Sequence, residues 1–243
     1  PTPAFPGQAE AQPLSPMRRR IAEVVRASWS EIPSFWVEGW VAASGLLAEL
    51  ERLNSGPQGQ PVRLTVTDFL LQALADVLEA HPAFRVRLVG SGPDSWARQP
   101  VQEVSLGLLV AVPPEGLIMA VLSNLSGRSL PQIARMRQQA VELARSGRVQ
   151  WFDVQPTLSL SNLGAEGPDR FRAIVYPGQV GIVAVGRVHD RAVVRDGAVV
   201  AERGFYVNLA VDHRLVDGVE AAQFLSALGR RIEQGPWNAT PAS

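Results

Sequence analysis

The chain contains no cysteine and no lysine. Without cysteine it has no disulfide, no thiolate nucleophile and no thiolate metal site. That composition fits a reducing compartment, with the cytoplasm as the expectation. Without lysine, all 23 cationic side chains are arginine, so Schiff-base chemistry and lysine-linked groups such as lipoyl or biotin cannot reside on this chain. Excess charge is missing as well. The 23 cations balance 23 anions, which leaves no global field to draw in nucleic acid or an anionic membrane. No apolar run approaches the roughly 20 residues that span a bilayer. The N-terminal residues lack the charged-then-apolar order of a signal peptide.

What is present is ordinary for a globular protein. Hydrophobic residues make up 46% and charged residues 19% of 243, enough for one large domain with a sizeable core. Residues 1–14 are rich in Pro, Ala and Gln and read as a linker, with a further segment expected upstream. A helix is expected from Ser15, which can cap it, with Pro16 in its first turn and Met17, Ile21, Val24 and Val25 at helical spacing. Further helices are expected over 45–53, 67–80, 130–145 and 218–233. Strands are expected over 35–41, 84–89, 101–112, 117–122, 157–162, 180–188 and 204–212, and the short strands 192–194 and 198–201 are expected to bracket Arg195-Asp196-Gly197 as a hairpin. Helices and strands mix without regular βαβ alternation, so the fold class is mixed α/β in layers, as a single domain over 15–236. Residues 237–243 form a C-terminal tail.

Three histidines are available. His81 precedes a proline at a helix end and reads as a capping or surface residue. His189 follows a strand among Arg187, Asp190 and Arg191 and reads as solvated. His213 stands where an alternating strand stops and a helix starts, a place where backbone hands a side chain to a cleft. Asp217 follows four residues later, directly before Gly218. The spacing alone leaves a metal pair, a structural ion pair and an acid–base site open. The metal reading lacks further ligands, since only two other histidines and no cysteine exist.

The wider string Asp212-His213-Arg214-Leu215-Val216-Asp217-Gly218 resembles the C-terminal signature of the dihydrolipoamide acyltransferases. These form the cores of 2-oxo-acid dehydrogenase complexes and share a fold with chloramphenicol acetyltransferase. The resemblance runs in order along most of the chain. Pro13 to Ala22 is similar to the family's opening helix, and Leu64 to Leu74 to its second. Gly116 to Leu122, Ser159-Leu160-Ser161-Asn162-Leu163-Gly164 and Val180 to Gly186 are similar to three of its strands. It implies a two-layer, mixed-sheet fold of the chloramphenicol acetyltransferase kind. The implied activity is acyl transfer, with acetyl preferred, between dihydrolipoamide and coenzyme A.

By the same resemblance His213 is the general base, Ser161 stabilises the oxyanion and Asp217 supports the loop, pairing with an arginine rather than taking the proton. Arg18 and Arg19 are candidates for the coenzyme A phosphates, and Asn162 for the channel lining. The implied partners are a lipoyl domain, carried elsewhere because lysine is absent, and the dehydrogenase and dihydrolipoamide dehydrogenase components. The family's site lies between the subunits of a homotrimer, so His213 and Ser161 need not meet within one chain.

Three departures bear on these expectations. The run Gly164-Ala165-Glu166-Gly167-Pro168-Asp169-Arg170 lacks the family's Gly-Gly pair, and Ala120 stands where a proline is usual. The family's tail is leucine-rich and docks into a neighbouring trimer to build a cage. Here Trp237 alone is available as an apolar anchor, so the expectation is a homotrimer and does not extend to the larger cage. Two other functions compete. One is a catalytically weak structural core that organises partner enzymes. The other is a hydrolase using His213 and Asp217 to activate water, against which stands the lack of a Gly-x-Ser-x-Gly elbow.

Overall fold

The computed structural model describes residues 11–55, 62–114, 116–147 and 155–239. Helix α1 (Pro16–Glu31) starts where the sequence supplies a cap. Ser15 Oγ accepts the Arg18 N–H at 3.0 Å, and Pro16 has no N–H to leave unpaired. Pro33 then turns the chain into strand β1 (Ser34–Ala42), and α2 (Ser44–Asn54) follows. Helix α3 (Val66–Ala80) opens with a capping box. Asp68 Oδ2 accepts from both Thr65 N and Thr65 Oγ1 at 2.8 Å.

Two short strands, β2 (Val86–Val89) and β3 (Ala97–Pro100), pair only with each other. The chain continues through β4 (Leu106–Val112), β5 (Gly116–Leu122), α4 (Leu130–Arg145), β6 (Leu158–Asn162), β7 (Gly181–Val185), β8 (His189–Arg195), β9 (Ala198–Asp212) and α5 (Gly218–Gln234). Arg137 of α4 donates to the fully buried Asp68 at 2.6 Å, which fastens α4 to the head of α3.

The main sheet has the order β1-β9-β7-β6-β4-β5, with β8 paired to the first half of β9. β4, β6 and β7 run parallel to their neighbours in that trio, and the other pairs are antiparallel. The mixed-sheet expectation therefore holds. One face is apolar and carries the helices. Leu158, Leu160, Val183, Val185, Val207, Leu209 and Val211 join Phe69, Leu74, Leu78, Phe224 and Leu228 in one core. Each such buried side chain contributes about 1.5–3 kcal/mol.

The other face alternates in register. Its rows read Ser159–Ile182–Ala210–Trp36 and Ser161–Ala184–Asn208–Glu38. Ile32 and Val175 cover the first row in a small second cluster. Above the second row Arg170 pairs with Glu38 at 2.7 Å and lies over the Tyr206 ring.

Two expectations are corrected. The strand placed over 101–112 begins only at Leu106, after a bend at Glu103, whose carboxylate accepts from Ser105 Oγ. The preceding residues 97–100 form β3, which no apolar pattern signalled because all four residues are exposed. The segments 198–201 and 204–212 are one 15-residue strand. Gly204 does not break it. A Cβ there would stand 2.2 Å from the Val41 carbonyl oxygen, so glycine permits a close approach of β1. Ala120 is in β5, an edge strand, and its side chain is buried.

Candidate active site

The loop between β9 and α5 is fixed at every backbone N–H. His213 N donates to the Pro33 carbonyl at 3.0 Å, and Leu215 N and Val216 N donate to the Asp212 carbonyl at 2.9 and 3.1 Å. Asp212 is buried and receives a fork from Arg214, with Nε–Oδ1 at 2.9 Å and Nη2–Oδ2 at 2.6 Å. These bonds leave the His213 side chain exposed at the strand end, its ring resting on Phe35 at 4.5 Å between centroids. A half-packed, solvent-facing imidazole is available for proton transfer.

Among the described residues no arginine pairs with Asp217, and this corrects that expectation. Its Oδ1 accepts from Val219 N at 2.8 Å and Glu220 N at 2.9 Å, while Glu220 Oε2 accepts from Asp217 N at 3.0 Å. It is the N-cap of α5. The arginine of the loop belongs to Asp212 instead. Asp217 thus supports the loop by holding the helix start.

Ser161 lies on the sheet face away from the helices, only 3% exposed. Its hydroxyl has no hydrogen-bond partner among the described residues. On the same row the buried Asn208 Oδ1 is also unpartnered among them. The neighbouring Ser159 is different, since its hydroxyl donates to Gln179 at 2.7 Å. Two polar groups left open on one row leave room for an external hydrogen-bonding partner.

His213 and Ser161 do not meet. Ser161 is level with Ala184 and Asn208, whereas β9 runs on four more residues to Asp212 before His213. The step from Asn208 to Asp212 alone is roughly 13 Å along the strands, and two strand spacings add about 10 Å across. No side-chain rotation closes that gap to hydrogen-bond reach. A site using both groups takes them from different copies of the chain.

Asn162 points to the opposite face from Ser161. Its Nδ2 donates to Thr67 Oγ1 at 3.2 Å and its Oδ1 accepts Gly164 N–H at 2.9 Å. It lines an open cleft of about 1110 Å³ together with Thr65, Arg137, Arg145 and Gly164. Arg18 and Arg19 are exposed on α1. Arg18 passes over Gly116, where a Cβ would lie 2.7 Å from its Nη1, and Arg19 Nη1 donates back to the Leu14 carbonyl at 2.9 Å. His81 Nδ1 bonds the Val77 carbonyl oxygen at 2.7 Å and packs on Phe224, in the capping role expected. His189 is half-buried against Trp40 rather than solvated.

Sequence reasoning missed the Asp212–Arg214 fork. The Asp-x-Arg spacing was the available signal. It also missed the docking of the loop on Pro33 and Phe35, for which no local signal exists. Among the described residues no cluster of three or more histidine, aspartate or glutamate side chains is placed to hold a metal ion. No helix among them is long and apolar enough to cross a membrane.

A mixed sheet with helices on one face and a histidine loop at the end of a long strand defines a chloramphenicol acetyltransferase-like fold. Chloramphenicol acetyltransferase itself superposes with a TM-score of 0.50 over 89% of this chain and 95% of its own, at 12% identity. The chain belongs to the 2-oxoacid dehydrogenases acyltransferase (catalytic domain) family, whose model matches residues 6–239.

The acetyltransferase component of the pyruvate dehydrogenase complex of Zymomonas mobilis is 32% identical over 223 residues, which are 91% of this chain and 49% of that protein. The chain thus spans about half the length of the curated relatives it matches. The solved dihydrolipoamide acetyltransferase of Azotobacter vinelandii is 26% identical, with a TM-score of 0.87 over 96% of this chain and 97% of its own. A serine, a histidine and an asparagine are named for the catalytic mechanism of that enzyme. The cubic core of a pyruvate dehydrogenase multienzyme complex gives the same TM-score at 27% identity.

Proposed function

We propose that this chain is the catalytic domain of an acyltransferase that moves an acyl group, acetyl by preference, between dihydrolipoamide and coenzyme A. One observation carries the residue assignment. The serine and histidine named for the Azotobacter vinelandii enzyme are separated by the same number of positions as Ser161 and His213. The step from that histidine to the named asparagine is the step from His213 to Asp217.

On this reading the neutral His213 imidazole takes the proton of the attacking thiol, whose ordinary pKa near 8.5 leaves it mostly protonated. The thiolate sulfur bonds to the thioester carbonyl carbon, and the carbonyl electron pair moves onto oxygen. Ser161 of an adjacent copy donates its hydroxyl to that oxyanion. The intermediate collapses, the carbon–sulfur bond to the first carrier breaks, and the departing thiolate recovers the proton from the imidazolium. Asp217 keeps the loop in place. Arg18 and Arg19 are candidates for the phosphates of coenzyme A, and Asn162 for the channel.

The distance between His213 and Ser161 supports a site shared between copies of the chain, for which the assembly we propose is a homotrimer. With no lysine in the chain, the lipoyl group arrives on a separate domain or chain. The dehydrogenase and dihydrolipoamide dehydrogenase components complete the set of partners.

The test is acyl transfer between acetyl-coenzyme A and dihydrolipoamide. His213→Ala is expected to lose about 10²–10⁴-fold, and Ser161→Ala about 10²–10³-fold in kcat. Wild-type rates in His213→Ala would sink the assignment. Release of free acid without a thiol acceptor would favour hydrolysis instead.

A further inference from the structure

The β2–β3 hairpin lies off the main sheet, and a two-stranded hairpin alone is marginally stable. It is held instead by what it touches. At its root Phe84 stacks on Phe224 of α5 at 4.1 Å between centroids. Arg87 donates to the Gln155 carbonyl, and Val101 N donates to the Arg85 carbonyl at 2.8 Å. Two side chains, one from β3 and one from the residue just before it, reach the His213 loop. Arg98 Nη2 donates to the Leu215 carbonyl oxygen and lies 4.0 Å from Glu220 Oε2. Trp96 takes the Arg214 guanidinium over its ring at 5.1 Å.

These contacts converge on the groups that set the position of His213. Arg214 is the partner of the buried Asp212, the residue before the histidine. Leu215 is two residues after it. Glu220 is the carboxylate that closes the capping box with Asp217. The loop's own hydrogen bonds fix its inner side, through Pro33 and the Asp212 carbonyl. Its outer side is fixed from the hairpin. Trp96 is 41% exposed and the Arg98 side chain 50%, so neither residue belongs to the core. Their contacts are spent on the loop.

We propose that the β2–β3 hairpin is a clamp on the His213 loop, with Arg98 and Trp96 as positioning residues for the transfer reaction. The proposal rests on the reading of His213 as the base. Neither side chain touches substrate in this account. They act by keeping the imidazole within hydrogen-bond reach of the thiol, and a misplacement near 1 Å costs on the order of 10²-fold in rate.

The experiment uses the assembled protein with Arg98→Ala, Arg98→Lys and Trp96→Ala, read by steady-state acyl transfer and by hydrogen exchange of the 212–217 amides. Arg98→Ala should lower kcat about tenfold or more, leave KM for coenzyme A within about twofold, and speed exchange in the loop about tenfold. Arg98→Lys keeps a donor and should recover most of kcat. Trp96→Ala should act in the same direction more weakly. A kcat within about twofold of wild type in Arg98→Ala overturns the clamp, as does a loss of kcat with unchanged loop exchange and no recovery in Arg98→Lys. An active His213→Ala would remove the proposed base while leaving the exchange result to stand, so the two failures are distinguishable.

Discussion

Replacing Asp217 separates two roles a carboxylate close to the proposed base His213 can play. In the structure its Oδ1 accepts two backbone N–H groups at the start of α5, with extended backbone at φ −93° and ψ 178°. No hydrogen bond joins it to the His213 ring among the described residues. Asparagine presents the same acceptor oxygen and caps helices as well as aspartate does. Asp217→Asn should therefore keep the loop, with kcat within about threefold of wild type. Asp217→Ala removes the acceptor and should cost about 1 kcal/mol, a fall in Tm of about 2–4 °C for a domain of this size. Calorimetry on both variants beside the acyl-transfer assay decides the matter. If the charge were needed to orient or stabilise an imidazolium, the neutral asparagine would cost on the order of 10⁴-fold, as in a serine-protease triad. A loss of that size with unchanged Tm would refute the capping argument.

Other outcomes follow from the scaffold. Asp68→Ala strands Arg137 and two α3 cap donors in a buried setting, and urea unfolding should show a loss of about 3–5 kcal/mol. Gly186→Ala would place a Cβ 1.9 Å from the Asp169 carbonyl oxygen. It should destabilise by about 1–3 kcal/mol in the same assay, whereas Gly92→Ala, with open space around it, should be near neutral. The Arg195 guanidinium, with the Trp40 indole N–H, holds the Glu202 carboxyl below its ordinary 4.5. A depressed folded pKa means its contribution is full above about pH 4.5 and fades as pH falls through the folded value. The Tm gap between wild type and Glu202→Gln should thus be open at neutral pH and close in acid.

How much of this was legible depended on whether the signal was local. The start of α1 was written in Ser15-Pro16, and the amphipathic runs of α3, α4 and α5 placed them within a residue or two of their observed bounds. β3 was not legible, because a strand exposed at all four residues has no alternation to read. The 15-residue β9 was divided at Gly204, since a glycine required by close packing reads like a glycine required by a turn. In the site, the motif located His213 at a strand end. The choice of Arg214 for Asp212 rather than Asp217 depends on how the loop folds back, and spacing does not encode that. The orientation of Ser161 depends on register across β6, β7 and β9, which are distant in sequence.

The gap between His213 and Ser161 has a consequence for control. On the proposed reading neither group is sufficient alone, so each subunit carries two half-sites and no whole one. Catalysis then becomes a property of mass action. Diluting the protein below the dissociation constant of its assembly would extinguish turnover while every chain stayed folded. Any contact that tightens or loosens the interface, however far from the thiol, would act as a rheostat on the reaction.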